Sequence, residues 1–193
     1  MQYNIKVLHQ KNDVETVVLL GWKGVDDYMY VDYAPEHHVL QGGRATYREI
    51  AEWIRKTYGV HVTNLNIAQI NLNIADFNPL VSEAYLETVR RTIEAAKKLV
   101  VLRDRYGDRS QPLSLNMHMN HGIYIILPDR KVQMYDRDFD TYMKSFAGFR
   151  EKCEEWLGDS DVLITVENTD GFRDYEKKAI EYLLQSPCFA GVL

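Results

Sequence analysis

Glu167 follows the apolar run Val162-Leu163-Ile164-Thr165-Val166 and is itself followed by Asn168. A carboxylate at the end of an apolar segment is expensive to bury unless it is paired or coordinated. This glutamate therefore needs a chemical explanation more than any other residue in the chain. Other strand-like runs carry comparable residues at or near their ends. His9 and Gln10 follow the first, Asp32 lies late in the second, Asn64 and Asn66 lie in the third, and Asn116, His118 and His121 lie in or just after the fourth. Imidazole and carboxylate bind divalent metals, and amides hydrogen-bond to hydroxyl groups. The set suits a metal centre or a polyol-binding site.

Several other chemistries lack their residues. There is no G-x-S-x-G elbow for a serine nucleophile, no phosphate loop of the G-x-x-x-x-G-K-[ST] type and no G-x-G-x-x-G after a strand. Gln41-Gly42-Gly43-Arg44 is a glycine pair before a helix and reads as a plain turn. Asp136, Asp138 and Asp140 alternate as in a calcium loop, but the glycine and the distal glutamate of that loop are missing. His37 and His38 fall in a polar loop and are expected to be solvated. The two cysteines, Cys153 and Cys188, have no zinc-type spacing, and Cys153 falls on an apolar helical face where it reads as a small buried hydrophobe.

The elements that must position these residues follow from periodicity. Strands are expected over residues 3–8, 27–33, 60–67, 113–119, 162–166 and 189–193. Helices are expected over 12–20, 46–58, 79–100, 142–156 and 175–184. Pro79 suits a first helical turn, where its missing N–H costs nothing. Gly21 and Gly24, Gly59 and Gly158 are helix stops. Runs at 122–127 and 131–135 flank Pro128-Asp129-Arg130, a type I turn, and form a hairpin. Nothing divides the composition, so residues 1–193 read as a single α/β domain with a parallel sheet. Spacing alone leaves open whether that sheet is doubly wound or closed into a barrel. In both architectures the site lies beyond the C-terminal ends of the strands, which is where the residues above fall.

Composition narrows the partners. Of 193 residues 46% are hydrophobic, enough for one core, and no run approaches the length of a membrane span. The N-terminus lacks the pattern of a secretory signal, so a cytoplasmic protein is expected. Lys and Arg total 23 against 28 Asp and Glu, a net charge of −5. Binding to a phosphate backbone rewards a basic surplus, so nucleic acid is not an expected partner, nor is a membrane.

The segment Val162–Phe172, with its Glu167-Asn168-Thr169-Asp170-Gly171, resembles the strand and "ENT-x-G" segment of the xylose isomerase-like TIM barrels. That superfamily holds sugar-phosphate isomerases and epimerases together with the endonuclease IV enzymes. Leu115-Asn116-Met117-His118-Met119-Asn120-His121-Gly122 is similar to the family's strand that ends in a histidine before a glycine loop. The resemblance implies a (β/α)₈ TIM-barrel type fold, with about six of eight β/α units in this chain. It implies a sugar or sugar-phosphate isomerase or epimerase that works by metal-assisted proton transfer, using Mn, Zn or Co. Glu167 would be both catalytic and a metal ligand, His118 a second ligand, and Asn66, Asn116, His121 and Asn168 substrate contacts. The chain ends at Phe189-Ala190-Gly191-Val192-Leu193, where the family's next strand carries an Asp-x-x-His-type motif. The expectation is therefore a truncated barrel with an incomplete ligand set. Its implied partners are a carbohydrate and possible further copies of the chain. The alternatives are an endonuclease IV-like repair enzyme and a non-catalytic sugar-binding protein.

Overall fold

The computed structural model describes residues 5–7, 24–29, 56, 61–67, 74–76, 78–106, 112–118, 124–133, 139–167 and 172–192. In chain order the elements are β1 (Ile5–Val7), β2 (Gly24–Met29), β3 (His61–Ile67), α1 (Pro79–Arg105), β4 (Leu113–His118), β5 (Tyr124–Ile126), β6 (Lys131–Gln133), α2 (Phe139–Leu157), β7 (Val162–Glu167), α3 (Asp174–Leu183) and β8 (Phe189–Val192). The helices expected over 12–20 and 46–58 lie outside the described residues, apart from the helical position Lys56.

Six strands form one all-parallel sheet in the order β1-β2-β3-β4-β7-β8, and β5 and β6 form a separate antiparallel hairpin. A doubly wound sheet reverses its strand order at a switch point. This one does not: every strand of the sheet adds beside its predecessor. Right-handed crossovers that always advance in one direction leave their helices on one face. The core has that form. Side chains from α1, α2 and α3 share one buried cluster with Leu113, Leu115 and Met117 of β4 and Val162, Ile164 and Val166 of β7. Pleat alternation puts Ser114, Asn116, Leu163 and Thr165 on the opposite face. There Asn116 and Thr165 are 5% and 6% exposed.

Helix α1 begins as its sequence requires. The Asn78 amide oxygen accepts from the Leu80 N–H at 3.1 Å, the Asp76 carboxylate accepts from the Asn78 N–H at 2.7 Å, and Pro79 occupies the first turn. Its buried stripe runs Tyr85, Val89, Thr92, Ile93, Ala96, Leu99, Leu102 and Arg103, and the helix packs on β3, β4 and β7. It runs five residues beyond the expected end. Arg103, buried on that stripe, explains the extension: its Nη2 donates to Asp161 at 2.7 Å and to Asp104 at 3.0 Å, tying the last turn to the residue before β7. On the outer face the Arg90 and Arg91 guanidinium groups hold the Glu87 carboxyl down at about 2.

Helix α2 stops at Gly158, whose φ of 52° is left-handed and suits a residue without Cβ. Leu157 ends its buried face at 1% exposure, and the neighbouring Trp156 is half-buried. Strand β2 is expected over 27–33 and is observed at Gly24–Met29, three residues early at its start; residues 30–33 lie outside the described residues. Gly24 opens this strand instead of closing a helix. Its pairing with β3, which begins at Gly24↔His61, decides that start, which tyrosine-rich β-propensity placed at Asp27.

Aromatic rings bind the helices to the sheet. Phe149 lies 6.1 Å from Tyr85 on α1 and 6.1 Å from Phe189 on β8, and Tyr142 meets Tyr175 of α3 edge-on at 5.0 Å. Cys153 sits among them at 0% exposure, as its helical position suggested, and burial pushes its thiol far above the ordinary range. A thiol without an accessible thiolate is inert. Native protein treated with iodoacetamide should therefore modify Cys153 no faster than it unfolds, whereas half-buried Cys188 can react first. Rapid modification of both in the folded state, read by mass spectrometry, would contradict this packing.

Candidate functional site

His118 is the last residue of β4 and Glu167 the last of β7. The strands are hydrogen-bonded neighbours, and His118 and Glu167 are register partners. Sequence placed both at strand ends. The fold places them side by side, at the end of the sheet where α/β sites are found.

Beneath this pair runs a polar row. Tyr28 pairs in register with Asn66, Asn66 with Asn116, and Asn116 with Thr165. One row further down, Asp26 pairs with Asn64 and Asn64 with Ser114. Two of the sequence-derived substrate contacts, Asn66 and Asn116, are thus direct neighbours in adjacent strands. The Asn116 side chain is buried, and its Oδ1 accepts from the Thr165 hydroxyl at 3.3 Å; that hydroxyl also lies 3.5 Å from the Leu115 carbonyl oxygen.

The other two expected contacts, His121 and Asn168, lie outside the described residues, as do His9, Gln10, Asp32, His37, His38, Asp136 and Asp138. Asp140 is exposed in the first turn of α2. Among the described residues, no three His, Cys, Asp or Glu side chains come together as a metal-binding group. The donors at the strand ends are His118 and Glu167, an imidazole and a carboxylate. That pairing of types is compatible with borderline divalent cations.

Two buried polar residues, one on β7 and one on the helix after it, were not singled out by the sequence. Thr165 read as an ordinary strand former inside an apolar run. Glu176 is 0% exposed in the first turn of α3. Its Oε2 accepts from the Arg173 N–H at 2.7 Å, and Arg173 Nη1 lies 3.9 Å from Oε1. Arg173 Nη1 also donates to the Tyr175 hydroxyl at 3.0 Å. The Arg173-x-x-Glu176 spacing carried the signal, because a glutamate at the third helical position can reach back to the N–H of the cap. This buried carboxylate fixes the helix start that follows the Glu167 end of β7.

Among the described residues, no helix is long and apolar enough to cross a membrane. No protein-family model matches the chain, and no curated protein matches it in sequence. Solved structures do match it. One is a D-tagatose 3-epimerase-like protein, at a TM-score of 0.58 and 16% identity over 90% of this chain and 55% of that one. Another is the 3-keto-D-glucoside 4-epimerase YcjR from E. coli in its apo form, at a TM-score of 0.58 and 13% identity over 98% of this chain and 66% of that one. The chain spans less than two thirds of either protein. At these identities the likeness is one of fold, and over the part it spans this chain has the α/β fold of those two proteins.

Proposed function

We propose that residues 1–193 form one domain, the greater part of a (β/α)₈ barrel, and that the protein is a sugar or sugar-phosphate isomerase or epimerase acting by metal-assisted proton transfer. The observation that carries this reading is the register pairing of His118 with Glu167 at the C-terminal ends of adjacent parallel strands, on a fold shared with an epimerase and an epimerase-like protein. The barrel is supported by a strand order without a switch point. It is supported also by Asn116 and Thr165, which are buried on the face away from the three described helices. A wall that curls onto itself covers such a face.

In this reading His118 and Glu167 would hold a divalent cation of the Mn, Zn or Co class. When bound, the cation polarises the sugar oxygens and acidifies the hydrogen on the adjacent carbon. Glu167 supplies the ionised carboxylate that the chemistry requires. Asn66 and Asn116, with Asn168 and His121, orient the sugar through its hydroxyl and carbonyl oxygens. Holding those oxygens fixes which C–H bond faces the catalytic groups, and that orientation is worth several orders of magnitude in rate.

The test is deuterium exchange. The 193-residue chain, supplied in turn with Mn²⁺, Co²⁺ or Zn²⁺ in D₂O, is mixed with a panel of ketoses and ketose phosphates and followed by NMR. Metal-dependent deuteration beside the carbonyl, lost with EDTA and recovered on adding metal, is the expected result. No exchange, with calorimetric sugar binding that EDTA leaves unchanged, would replace the enzyme reading with a binding protein. Neither exchange nor binding across the panel would remove the sugar reading altogether.

A further inference from the structure

We propose that Glu176 is a positioning residue for the Glu167 site. Buried in the first turn of α3, it clamps the Arg173 N–H and so fixes the far end of the short connection that begins at Glu167. The inference rests on the metal-site reading for what Glu167 does, while the clamp itself can be tested without it.

The length of the connection is the first observation. Residues 168–172 alone join Glu167, the last residue of β7, to Arg173, the cap of α3. One end is held by the sheet, where Glu167 is in register with His118. A short loop between two fixed ends has few conformations, and freeing either end multiplies them. The hold on the second end therefore bears on how closely Glu167 keeps the geometry that a ligand needs.

The second observation is how that end is held. A cap residue ordinarily accepts a hydrogen bond from the first helical turn through its side chain, but a guanidinium group only donates. The reciprocal half of the motif carries the helix start: Glu176 Oε2 accepts from the Arg173 N–H at 2.7 Å. Arg173 Nη1 lies 3.9 Å from Glu176 Oε1 and donates to the Tyr175 hydroxyl at 3.0 Å, and the preceding Phe172 packs against the core. Glu176 is fully buried. A carboxylate in such a place is costly without its partners, and water cannot replace them. The contact is rigid where an exposed cap would fray.

Glu176→Met keeps the approximate volume of the side chain and removes both oxygens. Amide hydrogen exchange, followed by mass spectrometry, should speed up over residues 168–173 of this variant and stay unchanged in α1 and β4. Calorimetry should show Mn²⁺ bound about tenfold more weakly, the size expected when a group that orients a metal ligand is removed. Glu176→Gln retains an oxygen for the Arg173 N–H and should restore both. Asn78→Ala is the control: it removes the side chain that accepts from the Leu80 N–H at 3.1 Å, weakening the start of α1, and should leave Mn²⁺ affinity unchanged. If the methionine variant does not fold, Glu176→Leu carries the same comparison. Equal weakening of Mn²⁺ binding by Asn78→Ala would reduce the effect to a general loss of stability and overturn the positioning role. Unchanged Mn²⁺ affinity in a folded Glu176→Met protein would overturn it as well, and unchanged exchange over residues 168–173 would overturn the clamp. Faster exchange there, in the variant of a parent chain that binds no Mn²⁺, would leave the clamp standing and defeat the metal-site reading instead.

Discussion

Glu167→Gln is expected to lower metal-dependent sugar exchange by about 10³-fold or more, equivalent to about 4 kcal/mol of transition-state stabilisation. The substitution keeps the length and hydrogen-bonding reach of the side chain and removes only its ionised carboxylate. The proposed chemistry needs that charge to hold a divalent cation or to accept a proton. Calorimetry should show weaker Mn²⁺ or Co²⁺ binding in the same variant. Circular dichroism should remain that of the parent chain, since Glu167 ends its strand beyond the buried Val162, Ile164 and Val166. Retained exchange in a folded Glu167→Gln protein would remove this residue from the site. His118→Ala would then be the next variant to examine, as its register partner.

The second large effect concerns stability. Phe149→Ala should destabilise the fold by about 3–5 kcal/mol, the usual cost of deleting a fully buried aromatic ring. Phe149 is 1% exposed and lies between three other rings: Tyr85 at 6.1 Å, Phe189 at 6.1 Å and Phe146 at 6.4 Å. These come from α1, β8 and α2 itself, so the cavity would loosen three elements together. For a chain of this size the change corresponds to a fall in Tm of roughly 6–20 °C. Leu80→Ala is the natural control: Leu80 is 71% exposed, and a change of about 0.5 kcal/mol or less is expected there. Urea unfolding of both variants measures the contrast. A loss below about 1 kcal/mol for Phe149→Ala would mean that these rings do not form the joint between helices and sheet.

The Phe149 substitution acts on one face of the sheet and the Glu167 substitution at its C-terminal end. The face covered by α1, α2 and α3 is apolar and carries stability. Thr165 and Asn116 lie on the other face, beneath the strand ends that hold His118 and Glu167. A parallel strand with one apolar and one polar face cannot show the unbroken hydrophobic pattern of a strand buried in apolar surroundings on both sides. Leu113-Ser114-Leu115-Asn116-Met117-His118 alternates for this reason.

The amino-acid sequence by itself determined where most of the described elements lie, because helix and strand periodicity, the Asn78–Pro79 start of α1, the Gly158 stop of α2 and the Pro128-Asp129-Arg130 turn act over a few residues. It also marked His118 and Glu167 as strand-end donors. Only the tertiary structure decided which residues meet. Register aligns His118 with Glu167 and Asn66 with Asn116, and it moves β2 back to Gly24. Pairing between strands tens of residues apart leaves no local trace, since a strand's own periodicity is the same whichever neighbour it joins. The burial of Arg103 against Asp161, of Glu176 against the Arg173 N–H and of Thr165 against Asn116 has the same origin. Each is a polar residue whose type favours exposure, and each is held inside by a specific partner that the folded chain brings within hydrogen-bonding distance.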